Sequence, residues 1–232
     1  MLFRSVRPKS KHTYDELLAR ARESDSAGIV YCLSRKRVDE LASKLRAHRI
    51  SALPYHAGLE ADERSRNQEA FIRDDARIIV ATIAFGMGIN KPDVRWVVHY
   101  DLPRTLESYY QESGRAGRDG DPAQCTLYFG ASDIRTAEFL IQQKVDSVTG
   151  EPLEDEQRIA RQQLRQVLNY AESTECRRAI QLRYFGESFN PPCGSCDNCC
   201  QPRETKDWTL EARQFLSIWR SEERRVGKEC RS

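Results

Sequence analysis

Apolar positions along this chain follow two rhythms that alternate. Short unbroken runs of strand length occur at Gly28 to Leu33, Ile50 to Tyr55, Ile78 to Thr82, Val94 to His99 and Cys125 to Phe129. Between them, apolar residues recur three or four apart, the spacing of a helix face. Leu17, Leu18 and Ala21 form such a face in a helix predicted from Thr13 to about Glu23, where Thr13-Tyr14-Asp15-Glu16 reads as a capping box. Val38, Leu41, Ala42 and Leu45 form another behind Ser34, a natural helix cap. Further helices are predicted at Asp62 to Phe71, Leu106 to Gln111 and about Ala131 to Lys144. Alternation of strands and helices predicts an α/β fold, a parallel sheet flanked by helices on both faces. Runs this continuous belong to strands buried on both sides. Cys32, Trp96 and Cys125 fall inside them and read as core.

The rhythm breaks at Val148-Thr149-Gly150-Glu151-Pro152, where Gly and Pro predict a linker. Beyond it, Ile159, Leu164, Val167, Leu168 and Ala171 line one face of a helix over Arg158 to Ala171. A second helix, from about Thr174 to Phe185, is stopped by Gly186. This helical pair leads into Cys193-Gly194-Ser195-Cys196-Asp197-Asn198-Cys199-Cys200.

Those cysteines change the picture. Of the eight in the chain, five are Cys176 and the four of this cluster. Cys193, Cys196 and Cys199, with Cys176 one helix upstream, offer four thiolates at the spacing tetrahedral zinc uses. Nothing beside them suggests an open coordination position or a general base, so the predicted metal is structural zinc. Cys200 is a spare. Clustering of this kind points to a reducing compartment, and the cytoplasm is the expected location. No apolar run approaches the length of a membrane span. The formal net charge over 232 residues is only +2, so any nucleic-acid binding must come from local patches.

Candidate chemistry lies in two glycine-broken loops. Gln111-Glu112-Ser113-Gly114-Arg115-Ala116-Gly117-Arg118-Asp119-Gly120 sets two arginines three apart on backbone that can approach an anion closely. Ala84-Phe85-Gly86-Met87-Gly88-Ile89-Asn90-Lys91-Pro92 follows a predicted strand. The first loop resembles motif VI of superfamily-two helicases, and Ala81 to Pro92 resembles motif V in the form used by the RecQ family. Tyr31-Cys32-Leu33-Ser34-Arg35 resembles motif IV, and Tyr55-His56-Ala57-Gly58-Leu59 the motif that follows it. The likeness runs from about Thr13 to about Leu216, in the order of the second RecA-like lobe.

The resemblance implies a RecA-like lobe over residues 13–147 and a RecQ-type zinc-binding subdomain over 153–203. It also implies the opening helix of a winged-helix domain over 207–219. Residues 1–12 are expected to be a linker from a first lobe. Residues 220–232, with one valine among many charges, are expected to be disordered and an artefact of sequence assembly.

By the same resemblance, Arg118 is an arginine finger, Arg115 a second phosphate or coupling contact, and Gln111 ties the motif to the nucleotide. Gly88 and Asn90 approach that nucleotide, although many relatives carry aspartate where Asn90 stands and a simple loop role is equally open. Ser34, Arg35, His56 and Thr82 line a phosphate track for single-stranded DNA. For His56 a neutral ring hydrogen-bonded inside a turn remains open, as does a loop cap for Thr82. Lys91 either adds charge or faces solvent. The metal ligands implied are Cys176, Cys193, Cys196 and Cys199.

The chain contains no Gly-x-x-x-x-Gly-Lys-Ser/Thr and no Asp-Glu-x-His stretch. In the family these belong to the first lobe, expected before Met1. ATP and Mg²⁺ are therefore expected only together with that lobe, and the chain alone is expected to be inactive as an ATPase. The implied whole is an ATP-dependent 3′–5′ DNA helicase acting on single-stranded and branched DNA in repair and recombination. The rival reading is a non-catalytic, zinc-stabilised module that binds DNA or a protein.

Overall fold

The computed structural model describes residues 2–86, 89–146, 149–202 and 207–217. Six strands form one parallel sheet in the order β1-β6-β5-β2-β4-β3. They are β1 (Leu2–Pro8), β2 (Gly28–Tyr31), β3 (Ala52–Tyr55), β4 (Ile78–Ala81), β5 (Trp96–His99) and β6 (Ala123–Phe129). The helices of the lobe are α1 (Thr13–Glu23), α2 (Arg35–Ala47), α3 (Ala61–Ile72), α4 (Leu106–Ser113) and α5 (Ala131–Gln142). After these come α6 (Glu154–Glu172), α7 (Arg177–Tyr184) and the short α8 (Asp197–Cys200).

The unbroken runs are explained by burial on both faces. Val30, Ile78, Val80 and Val98 point to one side, where Leu17, Leu18 and Ala21 of α1 and Val38, Leu41, Ala42 and Leu45 of α2 cover them. Ile29, Ile79, Ala81 and Val97 point to the other and meet Phe71 of α3 and Phe85. Trp96 is core, as expected, lying against Gly28, where a Cβ would sit 2.1 Å from the indole. A third cluster joins Val6 and Leu127 at the β1–β6 edge to Leu106 and Tyr109 of α4 and to Leu164, Val167, Tyr170 and Ile180 of α6 and α7.

Two local expectations are corrected. Residues 2–8 are not a linker but the edge strand β1, paired in parallel with Ala123–Phe129 throughout. Its outer edge is covered, because the Arg4 amide donates to the Ser195 carbonyl (3.1 Å) and the Val6 amide to Asp197 Oδ2 (2.9 Å). The start of α1 is not a capping box either. The Thr13 hydroxyl accepts from the Ser10 amide (2.9 Å) and the Ser10 hydroxyl from the His12 amide (3.1 Å), so the preceding turn makes the start. By contrast Ser34 does cap α2, accepting from the Arg37 amide at 3.2 Å.

Residues 2–201 form one compact unit, and the chain from Pro202 onward forms a second. In the second unit, residues 209–217 are helical, with the Thr209 amide donating to Asp207 (2.9 Å). Trp208, Leu210, Phe215 and Leu216 of this unit are exposed. The tail expected to be disordered, 220–232, lies outside the described residues. Among the described residues, no helix is long and apolar enough to cross a membrane.

Candidate nucleic-acid and nucleotide face with a four-cysteine metal centre

In a parallel sheet the loops at the carboxyl ends of the strands form the ligand-binding crevice. The register aligns Tyr31, Ala81 and Tyr55 on adjacent strands, so Ser34, Thr82 and His56 emerge from neighbouring strand ends. Ser34 and Arg35 are exposed at the start of α2. Arg35, Lys36 and Arg37 fill its first turn with no acidic residue among them. Cations at the positive end of a helix work against helix stability, and the same combination of charge and free backbone amides attracts an anion.

His56 behaves otherwise. It is 4% exposed, its Nδ1 accepts from the Gly58 amide (3.1 Å), and its Nε2 lies 3.0 Å from Asp39 Oδ1. An Nδ1 acceptor requires the proton on Nε2, which donates to Asp39. One ring nitrogen serves the turn through Gly58 and the other reaches Asp39 of α2, which supports the brace reading of His56 over the phosphate contact. Thr82 is 9% exposed, and its hydroxyl accepts from the Ala84 amide at 3.4 Å, a loop cap. Lys91 neither faces solvent nor adds charge to the track. It is buried, with Nζ 2.7 Å from Asp74 and 3.3 Å from Asp93.

The arginine loop leaves α4 and is anchored at the amino end of β5, where the Gly117 amide donates to the Val94 carbonyl (2.9 Å) and the Asp119 amide to the Pro92 carbonyl (3.3 Å). Gly117 has φ +64°, and a Cβ there would lie 2.8 Å from the Asp121 carbonyl, so the turn between the two arginines requires glycine. Arg118 is exposed, and its guanidinium reaches the Gly114 and Ile89 carbonyls (both 3.3 Å), which brings it beside the loop bearing exposed Asn90. Arg115 is half-buried against Gly86, where a Cβ would sit 2.2 Å from Nη2. Gln111 is exposed on the last turn of α4. Gly88 lies outside the described residues.

A group that sequence reasoning missed sits beneath. His99 and Glu112, both buried, are joined Nε2 to Oε2 at 2.7 Å. The His99 ring stacks on Tyr31 with centroids 5.2 Å apart, and the Tyr31 hydroxyl donates to the Phe85 carbonyl (3.1 Å). Burial holds the Tyr31 hydroxyl well above its ordinary pKa, and the nearby Arg115 guanidinium draws it partly back. The loops resembling motifs IV, V and VI therefore meet on Tyr31 and His99.

The cysteine cluster forms at the other edge of the unit. The sulfurs of Cys176, Cys193, Cys196 and Cys199 all lie within 4.8 Å of one another, with Cys193 and Cys199 3.9 Å apart. Tetrahedral zinc at about 2.3 Å from each sulfur places ligands roughly 3.8 Å apart, so the cluster fits it. Cys200 is exposed and outside the set. Burial raises the Cys193 thiol, but donation from the Ser195 amide and hydroxyl outweighs it and brings the pKa down to about 7. Burial pushes Cys196 up to about 12.

Arg177, not singled out from the sequence, holds this centre to the lobe. Its guanidinium is fully buried and donates from Nε to Asp197 Oδ1 (2.9 Å), from Nη2 to Asp197 Oδ2 (3.2 Å) and from Nη1 to the Tyr170 carbonyl. Asp197 also accepts from Val6 of β1, and Asn198 donates to the Ser173 and Glu175 carbonyls (2.8 and 2.7 Å).

Residues 9–120 match the family model described as helicase conserved C-terminal domain, and residues 131–200 match the one described as RecQ zinc-binding. The chain belongs to the RecQ helicase family. It is 44% identical over 195 residues to the ATP-dependent DNA helicase RecQ of Pasteurella multocida, covering 84% of this chain and 30% of that protein. It is 39% identical over 229 residues to the RecQ helicase of Bacillus subtilis, covering 98% of this chain and 37% of that one. The chain thus spans about a third of the length of these curated relatives. Among solved structures, a DEAD box protein from Methanococcus jannaschii shares the fold at TM-score 0.52 and 26% identity, over 60% of this chain and 39% of that one. The Escherichia coli DEAD-box protein SrmB does so at TM-score 0.51 and 24% identity, over 66% and 88% respectively. The RecQ zinc-binding match and the four-cysteine geometry agree on zinc.

Zinc bound here is expected at one equivalent per chain. Chelation should loosen the Cys193–Cys200 segment and the start of α7 while leaving the sheet folded, because that segment contributes nothing to the apolar cluster holding α6 and α7 and draws its folding energy from the metal. Metal analysis with amide hydrogen exchange checks this; unchanged protection of that segment after complete zinc loss would contradict it.

Proposed function

We propose that this chain forms the second lobe and zinc subdomain of an ATP-dependent 3′–5′ DNA helicase that separates duplexes in repair and recombination. The observation that carries the reading is that one compact unit presents two separate kinds of group. Exposed Arg118 and half-buried Arg115 lie on the loop after α4, with Arg118 beside the loop bearing Asn90. Exposed Ser34 and Arg35 stand beyond the carboxyl end of β2. A first lobe carrying the P-loop and the Mg²⁺-binding carboxylate would hold ATP against Arg118 and Arg115. Arg118 would stabilise charge developing on the transferred phosphoryl group, and Gln111 would orient the loop toward the nucleotide. Ser34 and Arg35 would grip the phosphates of single-stranded or branched DNA. Lobe closure would then advance the strand by moving one rigid body that carries both sets of contacts.

The described face contains arginines but no phosphate cradle of its own. The purified chain is therefore expected to bind single-stranded DNA in a salt-sensitive way and to hydrolyse no ATP. Filter binding and phosphate release test this directly. DNA-stimulated turnover by the chain alone would overturn the assignment of the nucleotide cradle to another lobe.

A further inference from the structure

α4 is a helix of eight residues, too short to stand by its own hydrogen bonds. Its inner side is held by the His99–Glu112 pair. It is also held by the helices that lead into the cysteine cluster, through three contacts on its two turns. The Tyr170 hydroxyl donates to the Tyr109 hydroxyl at 3.3 Å, both residues being fully buried, with ring centroids 5.1 Å apart. The Tyr184 hydroxyl donates to Glu107 Oε1. The Tyr110 ring lies 4.9 Å from that of Phe185. The arginine loop begins at the next turn.

We propose that Tyr170 and Tyr184 are positioning residues that brace α4 and so set the pose of Gln111, Arg115 and Arg118. Cys176 caps the start of α7, and Tyr184 and Phe185 stand at its far end. A metal held at Cys176 therefore fixes one end of the helix whose other end braces α4. Metal binding becomes a mechanical support for the arginine loop as well as for its own subdomain. The inference rests on the helicase reading for the role of the arginines, but its test does not.

The test uses the zinc-loaded chain and the variants Tyr170→Phe, Tyr184→Phe and both together, each removing a hydroxyl while keeping its ring. Amide hydrogen exchange reads α4, and NMR of guanidinium Nε–H groups reads Arg115 and Arg118. Arg46, whose guanidinium donates to the Ala52 carbonyl (3.2 Å), is the remote control. With zinc content unchanged, the double variant should exchange α4 amides about tenfold faster, as expected when buried hydrogen bonds are lost and local opening becomes easier. The Arg115 and Arg118 resonances should move and Arg46 should not. Removing zinc from the unsubstituted chain should produce the same pattern. Wild-type protection of α4 in the double variant, with unmoved arginine resonances, would overturn the proposal. If the double variant also loses protection in β2 and β5, the half-buried Tyr184→Phe change decides, and unchanged α4 exchange there overturns it equally. Either failure leaves the helicase reading standing, because no readout depends on nucleotide turnover.

Discussion

Replacing Arg118 by alanine should lower DNA-stimulated ATP turnover by roughly a thousand- to a hundred-thousand-fold in a protein that joins this chain to a P-loop lobe, the range over which an arginine finger acts. The size follows from where the charge sits. A guanidinium placed before the reaction opposite a phosphoryl group in transfer stabilises charge that develops only in the transition state. Turnover should therefore fall far more than ATP affinity. The side chain's internal contacts are two carbonyls at 3.3 Å, weak enough to be exchanged for phosphate oxygens. Arg118 is also exposed, so its loss should leave the thermal stability of the chain within a degree or two. Steady-state kinetics beside a melting curve separates this from a folding effect. A modest loss of turnover, or a loss matched by unfolding, would rule out the role.

Arg177→Ala should be the most destabilising single change in the zinc module, costing about 3–5 kcal/mol, because it leaves the Asp197 carboxylate buried without its cation. Arg177 is fully buried and Asp197 is 17% exposed. Asp197 also accepts from Val6, so the same change loosens the module from β1. Zinc should be lost at lower chelator concentration in the variant, while Arg177→Lys recovers only part of the loss because it cannot make the forked contact. The pH dependence has a definite sign. Burial pushes the Asp197 carboxyl up, but Arg177 and the amides around it prevail and hold it below the ordinary carboxylate range. A depressed pKa contributes stability at neutral pH that is lost as pH falls through the folded value, so wild type should weaken below about pH 4. Arg177→Ala should show less of this acid dependence. Urea titrations from pH 7 down to pH 3 measure both effects; equal stability of the two proteins at neutral pH would contradict the account.

What was legible in the chain was what its pattern repeats. Central strands buried on both faces read as continuous apolar runs, and the faces of α1 and α2 show the helical spacing of their buried residues. The edge strand β1 was not legible, since Leu2-Phe3-Arg4-Ser5-Val6-Arg7-Pro8 is half-covered and its outer edge is completed by residues 195 and 197. Pairing partners nearly two hundred positions apart leave no local trace. Arg177 looked like one more charged helix residue for the same reason, as its burial is created by Asp197 and the Tyr170 carbonyl.

The candidate face divides along similar lines. Arginines and glycines in a fixed order were recognisable, and so were four cysteines at metal spacing. Residue chemistry alone could not separate His56 the ligand from His56 the brace, because that depends on Gly58 and Asp39 occupying both ring nitrogens. The His99–Glu112 pair was invisible because neither residue is unusual in its own segment.

The central claim is that one lobe carries separate nucleotide-facing and strand-facing groups. It is tested most directly by recording ATP turnover and single-stranded DNA affinity side by side for Arg118→Ala and Arg35→Ala in the two-lobe protein. The account predicts opposite patterns. Arg118→Ala should lose turnover with DNA affinity nearly unchanged. Arg35→Ala should lose affinity and one phosphate's worth of salt dependence, and keep turnover at saturating DNA. The same pattern from both substitutions, or no effect of Arg118→Ala on turnover, would contradict it.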